Sequence, residues 1–200
     1  LRTNLLTLRE LEWLGLPLVI RSQFTPVILG VTLLKTYRTR DYLGVGQKVM
    51  VKYQQEFLSQ VELDIQYLIE LHWSEIALNQ DNIKLNPDWS AYHSLEEHGK
   101  LKIFTARDGD RLVGYFVVIV GNNIHYKDHL FATNDIIYMH KDYRRGFAGI
   151  RLIKFAERHL KDDGVSVLTI NTKIHQPFDS VLERLKFNMV ERVYSKYLGG

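Results

Sequence analysis

The chain has 200 residues, 46% of them hydrophobic and 24% charged, a composition that describes one ordinary globular domain with room for an extension. It contains no cysteine, so disulfides, thiolate nucleophiles and cysteine-based metal sites are excluded. The formal charge of +3 is held unevenly: residues 1–49 carry seven Lys/Arg against three acidic residues, and residues 50–200 carry 19 against 20, so the main body lacks the clustered basic face of a duplex-binding protein and nucleic acid is not an expected partner.

Within residues 1–49, two apolar runs, Trp13 to Ile20 and Val27 to Leu34, are separated by Arg21, Ser22 and Gln23 and broken by Pro17 and Pro26. Neither reaches the roughly 18–20 residues that a membrane span requires. No signal-peptide pattern is evident, and a membrane is not an expected partner. Met50 is the first methionine, and the chain from Met50 to Phe57 reads as a natural start. Residues 1–49 are therefore expected to be an atypical extension outside the native product, and residues 50–200 the domain. The rival reading is a short helical or hairpin arm that docks on the domain or a partner.

From Met50 the pattern becomes regular. Lys52 to Leu58 predicts a strand. Val61 to Leu78 predicts an amphipathic helix, with Ile65, Leu68, Ile69, His72 and Ile76 on one face. A polar loop, Asn79 to Asp88, leads to a second helix, Trp89 to Glu97. Lys102 to Arg107 and Leu112 to Val120 predict strands joined through Asp108-Gly109-Asp110. The unbroken apolar run Tyr115 to Val120 predicts burial on both faces. After the loop Gly121 to Asp128 comes a strand rich in β-branched and aromatic residues, Leu130 to Met139. A basic turn, His140 to Ala148, precedes a helix from Gly149 to Leu160 whose apolar stripe is Gly149, Ile153, Ala156 and Leu160, with Gly164 as its left-handed cap. Val165 to Asn171 predicts a strand, Phe178 to Leu185 a short helix, and Phe187 to Leu198 a final strand. The order is β-α-α-β-β-β-α-β-α-β, with no repeat.

The turn Arg144-Arg145-Gly146-Phe147-Ala148-Gly149 joins a strand to a helix, so unpaired backbone N–H groups and the positive helix end converge beside two guanidiniums. That arrangement fits a phosphate or pyrophosphate; the alternative is a solvated turn that happens to carry arginines. Other chemistries find no pattern. The eight histidines are scattered without ligand spacing, Ser59, Ser94 and Ser180 sit in no nucleophile elbow, and the Gly-Lys-Ser/Thr of a P-loop is missing.

The element order and the turn together resemble the GNAT superfamily of acyl-CoA N-acyltransferases, over residues 50–200. The carrying segment is Ile136 to Arg144, an apolar strand end followed by a His140-Lys141-Asp142-Tyr143-Arg144 turn. Arg144 opens the family's Arg/Gln-x-x-Gly-x-Gly/Ala signature and Gly149 closes it. Phe147 replaces the first signature glycine, with Gly146 one residue early. Leu185-Lys186-Phe187 stands where the family often reads Leu-Gly-Phe. The wording of residues 71–79 and 125–138 is similar to that of small GNAT proteins encoded by tailed phages.

The resemblance implies an α/β fold of mixed sheet, GNAT-like, and an acetyl-CoA-dependent N-acyltransferase acting by direct attack of a primary amine in a ternary complex. It implies acetyl-CoA as cosubstrate, a protein or small-molecule amine as acceptor, a monomer or homodimer, and a cytoplasmic setting (that of the host, if the protein is phage-encoded). The cofactor set it implies is Ile137, Tyr138 and Met139 along the pantetheine, with Arg144, Arg145, Gly146, Phe147, Ala148 and Gly149 around the pyrophosphate. One strand amide could polarise the thioester carbonyl.

Asp135 lies where many family members carry a glutamate that acts as base through water; a solvent-exposed carboxylate is the plainer reading. The family's tyrosine acid falls here on Leu182, which leaves Tyr194 or Tyr138 as substitutes, or departure of CoA as a thiolate. The acceptor site is expected between Trp73 and Tyr92 with the Gly121 to Asp128 loop opposite. Trp73, Glu75 and His125 are candidate contacts there, and Asp81, Asp88 and Glu75 favour a cationic amine. His72 reads as a core histidine and His140 as a turn-shaping one. A GNAT-shaped protein that binds CoA or a partner without turnover is the reading from a different class, favoured by Leu182 and the displaced glycine.

Overall fold

The computed structural model describes residues 50–199, so the expected extension at 1–49 lies outside the described residues. The elements are β1 (Val51–Glu56), α1 (Leu58–Ile76), α2 (Trp89–Glu97), β2 (Leu101–Asp108), β3 (Arg111–Asn122), β4 (Leu130–Met139), a 3-10 turn (Lys141–Tyr143), α3 (Ala148–Asp162), β5 (Val165–Thr169) and α4 (Asp179–Arg184). The strands form one sheet in the order β1-β2-β3-β4-β5. All neighbours are antiparallel except β4 and β5, whose parallel pairing requires the crossover that α3 supplies. The sheet is thus mixed, as expected for the α/β architecture.

Helix α1 starts three residues before the predicted Val61 because its first-turn donors find acceptors. The Phe57 N–H donates to Gln60 Oε1 at 2.9 Å and the Leu58 N–H to Glu96 Oε1 of α2 at 2.6 Å. A carboxylate at the positive helix end is the favourable polarity. Arg107 of β2 then ties this corner together: it meets Glu56 of β1 at 3.0 Å and Asp64 of α1 at 2.9 Å, all three side chains largely out of water.

Two cores lie on opposite faces of the sheet. One joins α1 (Leu58, Val61, Ile65, Leu68) to Ile103, Tyr115, Val117 and Tyr138, with Trp89, Tyr92 and Leu95 of α2 packed beside them. The other joins α3 (Leu152, Ala156, Leu160) to Phe104, Phe116, Val118 and Ala132. Strand β3 contributes to both, which is why its run from Leu112 to Val118 is buried on each side. Phe104 and Phe116 have lost all accessible surface, a burial worth about 2 kcal/mol each. In α3 the buried stripe is Leu152, Ile153, Ala156 and Leu160. Gly149, expected on it, sits instead at the start of the helix, and Leu152 takes its place. Gly164 adopts the left-handed conformation expected of the cap, φ +84°.

The predicted final strand does not form. Residues 187–199 join no strand among the described residues, and Met189, Val190, Val193, Tyr194 and Leu198 are exposed. Strand propensity describes a side chain that fits a half-buried pleat; without a partner ladder it makes no strand. Strand β5 also stops at Thr169, two residues short of prediction, because its ladder with β4 ends there at the pair Thr133–Thr169. Beyond that pair β4 runs on to Met139, paired among the described residues on its β3 side only.

Candidate active site

The split between β4 and β5 organises the site. At its vertex the Asn134 side chain stands in for a backbone pair. The Asn171 N–H donates to Asn134 Oδ1 at 2.6 Å, and Asn134 Nδ2 donates to the Asn171 carbonyl at 3.4 Å. Next along β4, Asp135 has no partner on β3: Val117 pairs with Ile136 and Val118 with Asn134, so Asp135 is the extra residue of a bulge. Its carboxylate Oδ2 accepts a hydrogen bond from the Tyr92 hydroxyl of α2. Burial and the adjacent carboxylate both push the Tyr92 phenol up, so it stays protonated and remains a donor. Asp135 is exposed, and this hydrogen bond orients its carboxylate. In the sequence Tyr92 marks only the end of the expected acceptor region; its bond to Asp135 is a finding of the fold.

At the far end of the unpaired stretch lies the turn. His140, buried, accepts the Asp142 N–H on Nδ1 and donates its own N–H to the Val113 carbonyl at 2.7 Å, which shapes the 3-10 turn as expected. Gly146 then takes φ +97°, a conformation that suits glycine alone. Helix α3 begins at Ala148, but Arg151 supplies the first N–H of the helix to find a backbone carbonyl, that of Phe147 at 2.9 Å. Among the described residues the N–H groups of 145–149 have no carbonyl acceptor, and a Cβ added at Gly149 would meet open space. Unpaired amides, the positive helix end and the exposed Arg145 fit a phosphate-bearing cosubstrate. Phe147, at the signature glycine's place, points largely to solvent, 64% exposed. The displaced glycine is thus absorbed by Gly146, which makes the turn one residue earlier.

Arg144 behaves differently from expectation. Its guanidinium donates to the Met139 carbonyl at 2.8 Å, pairs with Glu75 of α1 and lies 5.2 Å over the Tyr138 ring. Tyr138 also donates to Glu75, at 2.8 Å. Although burial opposes it, these donors hold the Glu75 carboxyl below its ordinary value. Arg144 therefore braces the end of β4 against the end of α1, while Arg145 beside it is exposed. Behind this brace, His72 is stacked on Tyr138, ring centroids 4.8 Å apart, and hydrogen bonded to the wholly buried Tyr115 hydroxyl at 2.8 Å. Burial drives the imidazole down to about 4, so it is neutral at pH 7. The core-histidine reading holds.

Where α2 ends, the α1/α2 face of the sheet is uncovered. An open cleft of about 490 Å³ lies there, walled by Ile119, Phe131 and Thr133 of the sheet and by Gly121, Ile124 and His125 of the following loop. Asn122 and Asn123 complete it, but their side chains are spent on the loop itself, on the Lys127 carbonyl and the His125 N–H. Thr133 is two residues from Asp135. His125 lines this cleft, and no residue between Trp73 and Tyr92 does. Glu75 is occupied by Arg144 and Tyr138, and Asp88 caps α2 through the Ala91 N–H at 2.9 Å, so neither is a free carboxylate for an acceptor. Trp73 stands half-buried on α1. Leu182 falls on α4 as expected, and Tyr194 is 87% exposed in the unpaired C-terminal segment. Among the described residues no group of His, Asp and Glu could hold a metal ion, and no helix is long and apolar enough to cross a membrane.

Residues 64–179 match the model of the Acetyltransferase (GNAT) family. Among curated proteins none matches the sequence significantly. Similar solved structures include an aminoglycoside acetyltransferase from an uncultured soil metagenomic sample, in complex with sisomicin, at 14% identity and TM-score 0.58, covering 74% of this chain and 94% of that one. Glucosamine-6-phosphate N-acetyltransferase from Arabidopsis thaliana is 11% identical, TM-score 0.57, with 74% and 99% covered. An acetyltransferase from Clostridium acetobutylicum, solved with acetyl-CoA, is 11% identical, TM-score 0.58, with 74% and 97% covered. At these identities the likeness is one of fold.

Proposed function

Because the chain belongs to the GNAT acetyltransferase family, we propose that it transfers an acetyl group from acetyl-CoA to a primary amine, by direct attack in a ternary complex. The observation that carries this reading is the free edge of β4, which runs from the bulged Asp135 to a turn of unpaired amides. An extended pantetheine can add to that edge as a strand would, with its pyrophosphate on the N–H groups of 145–149 and its thioester beside Asp135. Ile137, Tyr138 and Met139 supply the edge. Acetyl-CoA bound by the related fold from Clostridium acetobutylicum supports the cosubstrate.

The acceptor arrives as an ammonium. At a pKa of ~10.4 its deprotonation at pH 7 costs roughly 4–5 kcal/mol, and Asp135, held by Tyr92, is the carboxylate placed to take that proton, directly or through water. The neutral nitrogen attacks the thioester carbonyl, whose oxygen faces the strand amides. The nitrogen of the adduct gives up its second proton to solvent, and collapse breaks the carbon–sulfur bond and releases CoA. No tyrosine stands on α4, and Tyr194 reaches the thioester only if the C-terminal segment folds in. A thiol of pKa about 8.5 leaves as thiolate at modest cost near neutral pH and takes its proton from water.

Calorimetric titration of the full chain with acetyl-CoA and CoA, followed by mass measurement of a primary amine incubated with acetyl-CoA, tests the reading. Ligand at a hundred times its dissociation constant should add about 2.7 kcal/mol to folding stability. A folded protein that binds neither ligand would overturn the proposal. Binding of both without acetylation of any amine would favour the non-catalytic reading that Leu182 motivates.

A further inference from the structure

If the protein is the transferase proposed for it, the composition of the cleft beside Asp135 narrows the acceptor. None of the residues lining the cleft is an aspartate or glutamate. Its lining mixes polar groups (Thr133, His125 and the two asparagines) with large apolar ones: Ile119 is 37% exposed although it belongs to the central strand, Ile124 is 95% exposed, and Phe131 lines the cleft from β4. Phe131 is held flat by Tyr126, with ring centroids 6.2 Å apart and planes 8° from parallel. One amide atom of each asparagine is engaged by the loop, Asn122 Nδ2 on the Lys127 carbonyl and Asn123 Oδ1 on the His125 N–H. The carboxylate nearest along the strand is Asp135, and one of its oxygens already accepts from Tyr92. Of the carboxylates expected to greet a cationic amine, Glu75 and Asp88 are consumed elsewhere by Arg144, Tyr138 and the first turn of α2, and Asp81 does not line the cleft.

We propose that the acceptor is a small molecule with a single primary amine joined to an apolar or aromatic body. The nitrogen sits at Asp135 and the body fills the cleft against Ile119, Ile124 and Phe131. A second ammonium, such as those of polyamines and aminoglycosides, enters a cleft that offers it no counter-charge and loses water without replacement. An aromatic ring placed on Phe131 gains apolar contact and ring stacking instead. Discrimination of roughly tenfold or more in favour of the aromatic amine follows from the buried apolar area alone.

The test uses the full chain and three probes, phenethylamine, spermidine and sisomicin, with binding read by ligand-observed NMR and acetylation read separately by mass spectrometry. The expected result is phenethylamine bound at least about tenfold more tightly than either polycation. Ile119→Asp, which puts a carboxylate into the cleft, should reverse that order. Ile124→Asp does the same from an exposed loop position where folding is not at stake. Spermidine or sisomicin bound as tightly as phenethylamine, no binding of any probe, or a ratio untouched by both substitutions overturns the proposal. The two readings fail separately. Preferential binding of phenethylamine without its acetylation removes the transferase and leaves the cleft; preferential acetylation of spermidine removes the inference and leaves the transferase.

Discussion

The two faces of the sheet are built from different materials. Against α3 the fully buried residues are apolar, Phe104, Phe116 and Val118 meeting Leu152, Ala156 and Leu160, with half-buried His159 at the edge on Phe104. Against α1 and α2 the core is threaded by polar groups, His72 on Tyr115, Tyr138 and Arg144 on Glu75, and Tyr92 on Asp135. The first face binds the helix that carries the anion turn and does nothing else. The second holds every titratable group near the proposed chemistry. Stability and reactivity are thus assigned to opposite sides of one strand, β3, which serves both.

That division can be broken from either side. The largest effect belongs to the apolar face: Phe116→Ala should cost about 3–5 kcal/mol in chemical denaturation, the range for a fully buried ring. An equal cost with no cavity response to small apolar ligands would place the packing elsewhere. Next comes acid. His72 is 5% exposed and its folded-state pKa lies near 4, below the ordinary 6.5. The unfolded chain therefore takes up this proton first, so stability is intact above pH 6.5 and declines as pH falls toward 4, by about 3 kcal/mol. His72→Gln should flatten that part of the pH–stability curve; an unchanged slope would assign it to the carboxylates.

Smaller effects sharpen the comparison within the polar face. Tyr138→Phe removes one donor from Glu75 and leaves Arg144 in place, so the expected cost is about 1 kcal/mol by thermal unfolding. Tyr92→Phe should hardly move stability, because the pair lies near the surface. Its signature is kinetic: without the hydroxyl that orients the Asp135 carboxylate, kcat/KM should fall by about tenfold. An unchanged kcat/KM would mean that the orientation of Asp135 by Tyr92 does not matter to the reaction.

The sequence was most legible where the signal is local. The strand Leu130–Met139 came out with its bounds intact, α2 likewise, and Gly164 was recognisable as a cap because a left-handed residue after an apolar stripe has few other meanings. What escaped is tertiary. Tyr92 and Asp135 are 43 residues apart, and Glu75 and Arg144 are 69 apart, so neither pair leaves a mark on periodicity. A bulge at Asp135 is likewise invisible until the register with β3 is known. The final strand failed for the opposite reason: its residues have the right preference, and the structure gives them no neighbour. Among the carboxylates of the expected acceptor region, the sequence gives no sign that an arginine engages Glu75 and a helix end engages Asp88.

Asn134 has a consequence for the protein when no ligand is bound. Among the described residues no strand pairs with the outer edge of β4 from Asn134 to Met139, where only the Met139 carbonyl is taken, by Arg144, and such an edge is a template onto which an extended chain can zip. By offering one donor and one acceptor in the manner of a peptide unit, the Asn134 amide ends the β4–β5 ladder with its bonds satisfied. It acts as a stopper that keeps the two strands from closing like a fastener. The same bareness makes the edge a hazard for self-association, so occupancy of the slot should double as protection of solubility.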